Sequence, residues 1–137
     1  MRSINKKIGN TTEQQVLTFL QSNGLWAHLL VDNKNGQPFD ILALRGETIW
    51  ALDIKHLTSD NKRFALSRME VNQFTSMGDL SQKFINSVCG FVVVCDNDMR
   101  FISYQDCLRL VAQGEKSCLF SDMPTFKECL EYVYHNR

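Results

Sequence analysis

The chain has 137 residues, room for one domain with a real core. It is 44% hydrophobic, with two prolines and no low-complexity run, which argues against disorder. Fifteen basic residues balance fifteen acidic ones, so net charge alone does not mark a nucleic-acid binder. Residues 1–68 nevertheless hold nine Lys/Arg against six Asp/Glu, and residues 69–137 hold six against nine. No apolar run is long enough to span a membrane, and MRSINKKIGN lacks a signal-peptide pattern. Cys89, Cys95, Cys107, Cys118 and Cys129 are odd in number, with no CxxC pair, so they read as free thiols rather than zinc ligands or a disulfide framework. The chain reads as soluble and cytoplasmic.

In chain order, NTTEQQVLTFLQSNG predicts a helix, with a Thr11/Gln14 capping box, an apolar stripe at Val16, Leu17 and Leu20, and Gly24 as its stop. LWAHLLV is a strand, with Trp26 expected in the core and His28 half-buried. DNKNGQ is a loop, and Pro38 opens a hairpin. After Lys55, HLTSDNKR is a polar loop. Ser67-Arg68-Met69-Glu70 is a capping box for a helix carrying Val71, Phe74 and Met77, and Leu80 to Val88 forms another short helix. Gly90 precedes the strand FVVVC, Asp96-Asn97-Asp98 turns into the strand RFISY, and Asp106 to Gln113 is helical. Pro124 takes the first position of a C-terminal helix. The order α-β-β-β-α-β-β-α-α predicts a single α/β domain over residues 1–137, with a mixed sheet between helical layers.

The hairpin FDILALRGETIWALDIK carries the chemistry. Its apolar strands hold two carboxylates, Asp40 and Asp53, and end in Lys55. Alternation puts Asp53 and Lys55 on one face. A two-residue loop at Gly46-Glu47, or a four-residue loop centred on Arg45-Gly46, puts Asp40 on that face too. It then lies directly across from Asp53 or one diagonal away, ~5–8 Å off. Such carboxylates repel without a cation between them. Lys55 supplies one cation, and aspartate oxygens with water and a phosphate oxygen suit Mg²⁺. The competing reading is a solvated Asp/Lys pair at a strand surface. A second Asp-x-Lys, Asp60-Asn61-Lys62, sits in a polar loop without a companion acid and is set aside.

These residues resemble the PD-(D/E)xK nuclease superfamily, in particular the archaeal Holliday-junction resolvases and the bacterial RecU-type resolvases. The resemblance covers roughly residues 6 to 95. KKIGNTTEQQVLTFLQSNG resembles the opening helix with its carboxylate, here Glu13. GQPFDILAL resembles the Pro-Asp strand, with Phe39 inserted between proline and Asp40. WALDIK carries the acid-x-lysine signature as Asp53 and Lys55. KRFALSRMEVNQFTSM resembles the following helix with a glutamine, here Gln73, and GFVVVC the next core strand.

The resemblance implies a restriction-endonuclease-like core and metal-dependent hydrolysis of DNA phosphodiesters that leaves 5′ phosphates. The implied activity is that of a structure-selective endonuclease of Holliday-junction type. Nucleases of flap, nicked or duplex DNA and a non-catalytic binding module are the alternatives. It implies Mg²⁺ or Mn²⁺ on Asp40, Asp53 and the Ile54 carbonyl, with Glu13 as a nearer or outer ligand. Lys55 and Gln73 would handle water and phosphate. A homodimer would place two sites on the branched DNA. Lys6, Lys7, Lys62, Arg63 and Arg68 are candidate phosphate contacts. His56 is expected to be half-buried and structural, and Trp50 to lie in the core.

Overall fold

The computed structural model describes residues 2–30, 38–58 and 62–135, and of residues 2–10 the backbone course alone. Helix α1 (Arg2–Ser22) leads into β1 (Trp26–Leu29), β2 (Ile41–Arg45) and β3 (Thr48–His56). The short β4 (Arg63–Ala65) and a 3₁₀ turn precede α2 (Val71–Lys83). Then come β5 (Ser87–Cys95), β6 (Asp98–Ser103), α3 (Tyr104–Ala112), β7 (Ser117–Leu119), a second 3₁₀ turn and α4 (Phe126–His135). Five strands form one sheet in the order β1-β2-β3-β5-β6. The β3–β5 pair is parallel and the others antiparallel, so the sheet is mixed.

Each sheet face has its own core. Ala51, Phe91 and Val93 pack with Met77 of α2, Cys107 of α3 and Phe64 of β4. Trp50, Leu52, Val92 and Val94 pack on the other side with Val16 and Leu20 of α1 and Phe126 and Leu130 of α4. Because β5 is covered on both faces, its apolar run is continuous rather than alternating. No helix among the described residues is long and apolar enough to cross a membrane.

Several boundaries differ from the sequence reading. Helix α1 begins well before Thr11, which therefore sits mid-helix; nothing in RSINKKIGN is strong enough to stop the helix there. Its end is as expected. Gly24 has φ 80°, and Leu25 N–H donates back to the Leu20 carbonyl at 3.1 Å, a Schellman closure.

The N-cap of α2 is Glu70 rather than Ser67, which lies in the preceding 3₁₀ turn. No separate helix spans Leu80 to Val88. Helix α2 runs unbroken through Gly78 to Lys83, and Ser87 and Val88 already belong to β5. Pro124 precedes the cap instead of opening the helix, because Thr125 Oγ1 takes the Glu128 N–H at 3.1 Å. The antiparallel pair β4–β7 was not foreseen. Three-residue strands leave too short a period to read.

Candidate functional site

The β2–β3 hairpin closes through the two residues Gly46 and Glu47, with Arg45 paired to Thr48. Gly46 alone has positive φ, 60°, as a two-residue loop with glycine in its first central position requires. The ladder runs without a bulge to Ile41 opposite Leu52. There the regular ladder breaks: Asp40 N–H bonds to the same Leu52 that faces Ile41, and its carboxyl comes within hydrogen-bond reach of the Asp53 carboxyl.

Asp40 lies where β2 begins, and its position is fixed from three directions. Its N–H donates to the Leu52 carbonyl at 2.9 Å, and its carbonyl accepts the Leu30 N–H at 2.8 Å. Its Oδ2 accepts the Ile54 N–H at 2.7 Å. The carboxylate thus replaces the backbone acceptor that β3 loses where β2 ends.

Strand parity orients the Ile54 carbonyl. Ile49 and Leu57 donate to the β5 side, to Asn86 and Val94, so odd residues of β3 bond toward β5 and even residues toward β2. Residue 54 points both its N–H and its C=O to the side where Asp40 stands.

Asp53 is 1% exposed, which removes the reading of a solvated surface pair. Lys55 Nζ lies 3.0 Å from its Oδ2. That oxygen nonetheless has no well-directed hydrogen-bond donor among the described residues. The ion pair is close in distance but poorly aligned. Burial, and then the negative charge of Asp40, push the Asp53 carboxyl up to about 8 against the opposing effect of Lys55. Two carboxyls side by side in a dry setting favour one shared proton unless a stronger cation takes its place.

That poorly satisfied oxygen, the Asp40 carboxylate and the Ile54 carbonyl are hard oxygen donors on one side of β3. The set suits Mg²⁺, which takes one or two carboxylates and completes its shell with water and phosphate. Among the described residues no three His, Cys, Asp or Glu side chains form a metal group. Glu13 is half-buried, one turn ahead of Val16 on α1. That helix packs on the opposite sheet face from Asp53 and Lys55.

Gln73 is buried at 6% beside Met77 on α2, above the face that carries Asp53. Its Oε1 accepts the Glu70 N–H at 3.2 Å, so this end of the amide caps the helix and only the Nε2 end is suited to a ligand.

The basic candidates divide. Arg68 Nη1 donates to the His56 carbonyl at 3.0 Å, which places its guanidinium at the end of the strand that carries Lys55. His56 is half-buried, as expected. Arg63 is exposed, with Nε donating to Ser117 Oγ at 2.7 Å, and Lys62 is exposed beside it. The side chains of Lys6 and Lys7, together with Asp60, Asn61 and the loop 31–37, lie outside the described residues.

Two expectations for β1 fail. Trp26 is 58% exposed and His28 is exposed as well, their rings stacked 5.9 Å apart at 14°. The periodicity of LWAHLLV suggests a core strand, but β1 is the sheet edge, and among the described residues no helix covers this face of it. Trp50 is fully buried, as expected, and donates to the Tyr134 hydroxyl at 2.8 Å. A groove of about 710 Å³ beside α4 includes Trp50, Phe101 and Cys129 in its lining, with the acids Asp106, Glu128 and Glu131 at hand. It belongs to the α1/α4 side of the sheet, away from Asp53, and its carboxylates do not suit DNA.

No protein-family model and no curated protein sequence matches the chain. Among solved structures it is similar to Hjc, a Holliday junction resolvase of the archaeal hyperthermophile Archaeoglobus fulgidus. The TM-score is 0.55 at 19% identity, over 71% of this chain and 78% of that one. At that identity the likeness shows the fold alone: a mixed α/β core with a five-stranded sheet flanked by helices, shared with that resolvase structure.

Proposed function

We propose that the protein is a metal-dependent, structure-selective DNA endonuclease of the resolvase type, acting as a homodimer. The observation that carries this reading is Asp53: buried, beside Asp40, and held to Lys55 by an ion pair too poorly aligned to satisfy its Oδ2, on the fold of a junction resolvase. A globular domain kept only for stability would gain from an apolar residue at this position.

Asp40, Asp53 and the Ile54 carbonyl would hold Mg²⁺ or Mn²⁺, with Glu13 reaching it through water. The bound ion would supply Lewis-acid stabilisation of the phosphate and a lowered pKa for its water. Lys55, 14% exposed at its side chain, keeps its ammonium at the mouth of the site, where it orients the attacking water and offsets charge growing on the phosphate. The Gln73 amide nitrogen orients water or phosphate from α2. Arg68, with Lys62 and Arg63 and with Lys6 and Lys7 of α1, positions the backbone without reading sequence. Water attacks phosphorus, the bond to the 3′ oxygen breaks, and the 5′ phosphate stays on the product. The five free thiols suit work in a reducing cytosol.

The test is cleavage of a labelled mobile four-way junction beside a linear duplex, in Mg²⁺ and in EDTA. Wild type should nick two strands symmetrically, only with metal. Asp53→Asn and Lys55→Ala should each lose at least a hundredfold in rate, the scale of removing a preorganised charge partner. Activity surviving both changes would refute the site. Because no three-acid group is present among the described residues, a binding module is the second reading. It predicts shifted DNA mobility with no cutting.

A further inference from the structure

We propose that Trp26, backed by His28, is a stacking platform for an unpaired base of the DNA strand whose phosphate lies at Asp40 and Asp53. The proposal rests on the nuclease reading for the identity of the strand. Its own evidence is the position of the two rings.

Register places the rings and the carboxylates on one sheet face. Trp26 pairs with Leu44 and His28 with Leu42. Those residues face Ile49 and Ala51 of β3, and two residues beyond Ala51 on the same face is Asp53. Strand spacing puts His28 about 12 Å and Trp26 about 16 Å from Asp53, within a few nucleotides' reach. Helices α2 and α3 cover this face over β3, β5 and β6, while among the described residues no helix covers β1 or the far end of β2.

An indole costs free energy when it is left in water, and exposed tryptophan is enriched where a partner covers it. Here the His28 imidazole lies near-parallel to the indole, so one aromatic surface is already assembled beside the other. A second copy of the chain is the other possible cover, but the area is too small. The exposed apolar side chain that adjoins Trp26 is Leu44 at 38%, while Phe84 and Ile85 are exposed farther across the sheet, just ahead of β5. Together Trp26 and Leu44 offer on the order of 200 Å², a quarter of the roughly 800 Å² per partner that a stable dimer uses. One base fits. Stacking on an aromatic ring does not depend on sequence, which suits a strand recognised by its shape. Paired bases hide their faces, so the platform favours substrates with an unpaired base near the scissile phosphate.

The experiment is a fluorescence titration of the full chain in EDTA, where nothing is cut. Single-stranded oligothymidine and a matched linear duplex are the probes. Trp50 is buried and emits to the blue, so the red-edge emission reports Trp26. The single strand should quench that emission more than the duplex does. Trp26→Ala should weaken single-strand binding by about tenfold or more while Trp26→Phe keeps most of it. Equal binding by Trp26→Ala and wild type would overturn the platform. So would a blue shift with rising protein concentration in the absence of DNA, since a second copy would then cover the ring. Quenching by the single strand, with no metal-dependent cleavage in the separate assay, would sustain the platform and refute only the nuclease reading.

Discussion

At the scale of single residues, Asp53 sets the pH response. Its carboxyl titrates near 8 in the folded chain and near the ordinary aspartate value when unfolded. Between those values the folded state holds a proton that the unfolded state has released, so stability falls as pH rises. Metal-free protein should therefore lose Tm steadily from about pH 4 to about pH 8 and level off above. Asn at this position mimics the protonated acid. Asp53→Asn should flatten that slope and match or exceed wild type at pH 8.5 in EDTA while losing cleavage. Thermal melts of both proteins across this range check the sign. A wild-type Tm that rises through this window would show the carboxyl ionised throughout.

At the scale of elements, the hairpin was the most legible part of the sequence, because alternation and a Gly46 turn suffice to set its register from Arg45–Thr48 to Ile41–Leu52, next to which Asp40 and Asp53 come together. Burial was not legible. Whether Asp53 is solvated depends on α2, β4 and β5, which are distant in sequence, and the same kind of information decided Trp26. An edge strand and a central strand share one pattern, and only strand order separates them. Helix starts were misread where a local cap signal competed with an uninterrupted helix, as at Thr11, or with a better cap three residues on, as at Glu70. Gly90 is a further case, since only the fold explains it. A Cβ there would lie 2.4 Å from the Ile102 carbonyl and 2.7 Å from the Phe101 ring. The Ile102 contact is backbone of the neighbouring strand β6 and cannot rotate away. Gly90→Ala should cost about 1–3 kcal/mol, read as a lower denaturation midpoint at unchanged slope. An unshifted midpoint would mean that β5 and β6 can separate locally.

At the scale of the whole molecule, the carboxylate pair ties the start of β2 to the sheet's central strand β3. Asp40 holds the start of β2 against β3 through the Leu52 carbonyl and the Ile54 N–H. Asp53 sits on β3, whose parallel partner β5 lies at the middle of both cores. An ion held by both acids binds the folded chain and not the unfolded one, and so stabilises by RT ln(1 + [L]/Kd), about 2.7 kcal/mol at a hundredfold excess over Kd. It must displace the Asp53 proton, so its affinity rises as pH approaches 8. On the proposed reading, a bound metal's contribution would therefore grow over the pH range in which the metal-free fold weakens. Mg²⁺ or Mn²⁺ should raise Tm more at pH 8.5 than at pH 6, and should leave Asp53→Asn nearly unmoved at both. Calcium, used to hold DNA without cutting, should act in the same direction if its larger shell is accommodated. A wild-type Tm indifferent to all three ions at both pH values would mean that Asp40 and Asp53 hold each other through a shared proton, and that β2 and β3 are joined there without metal.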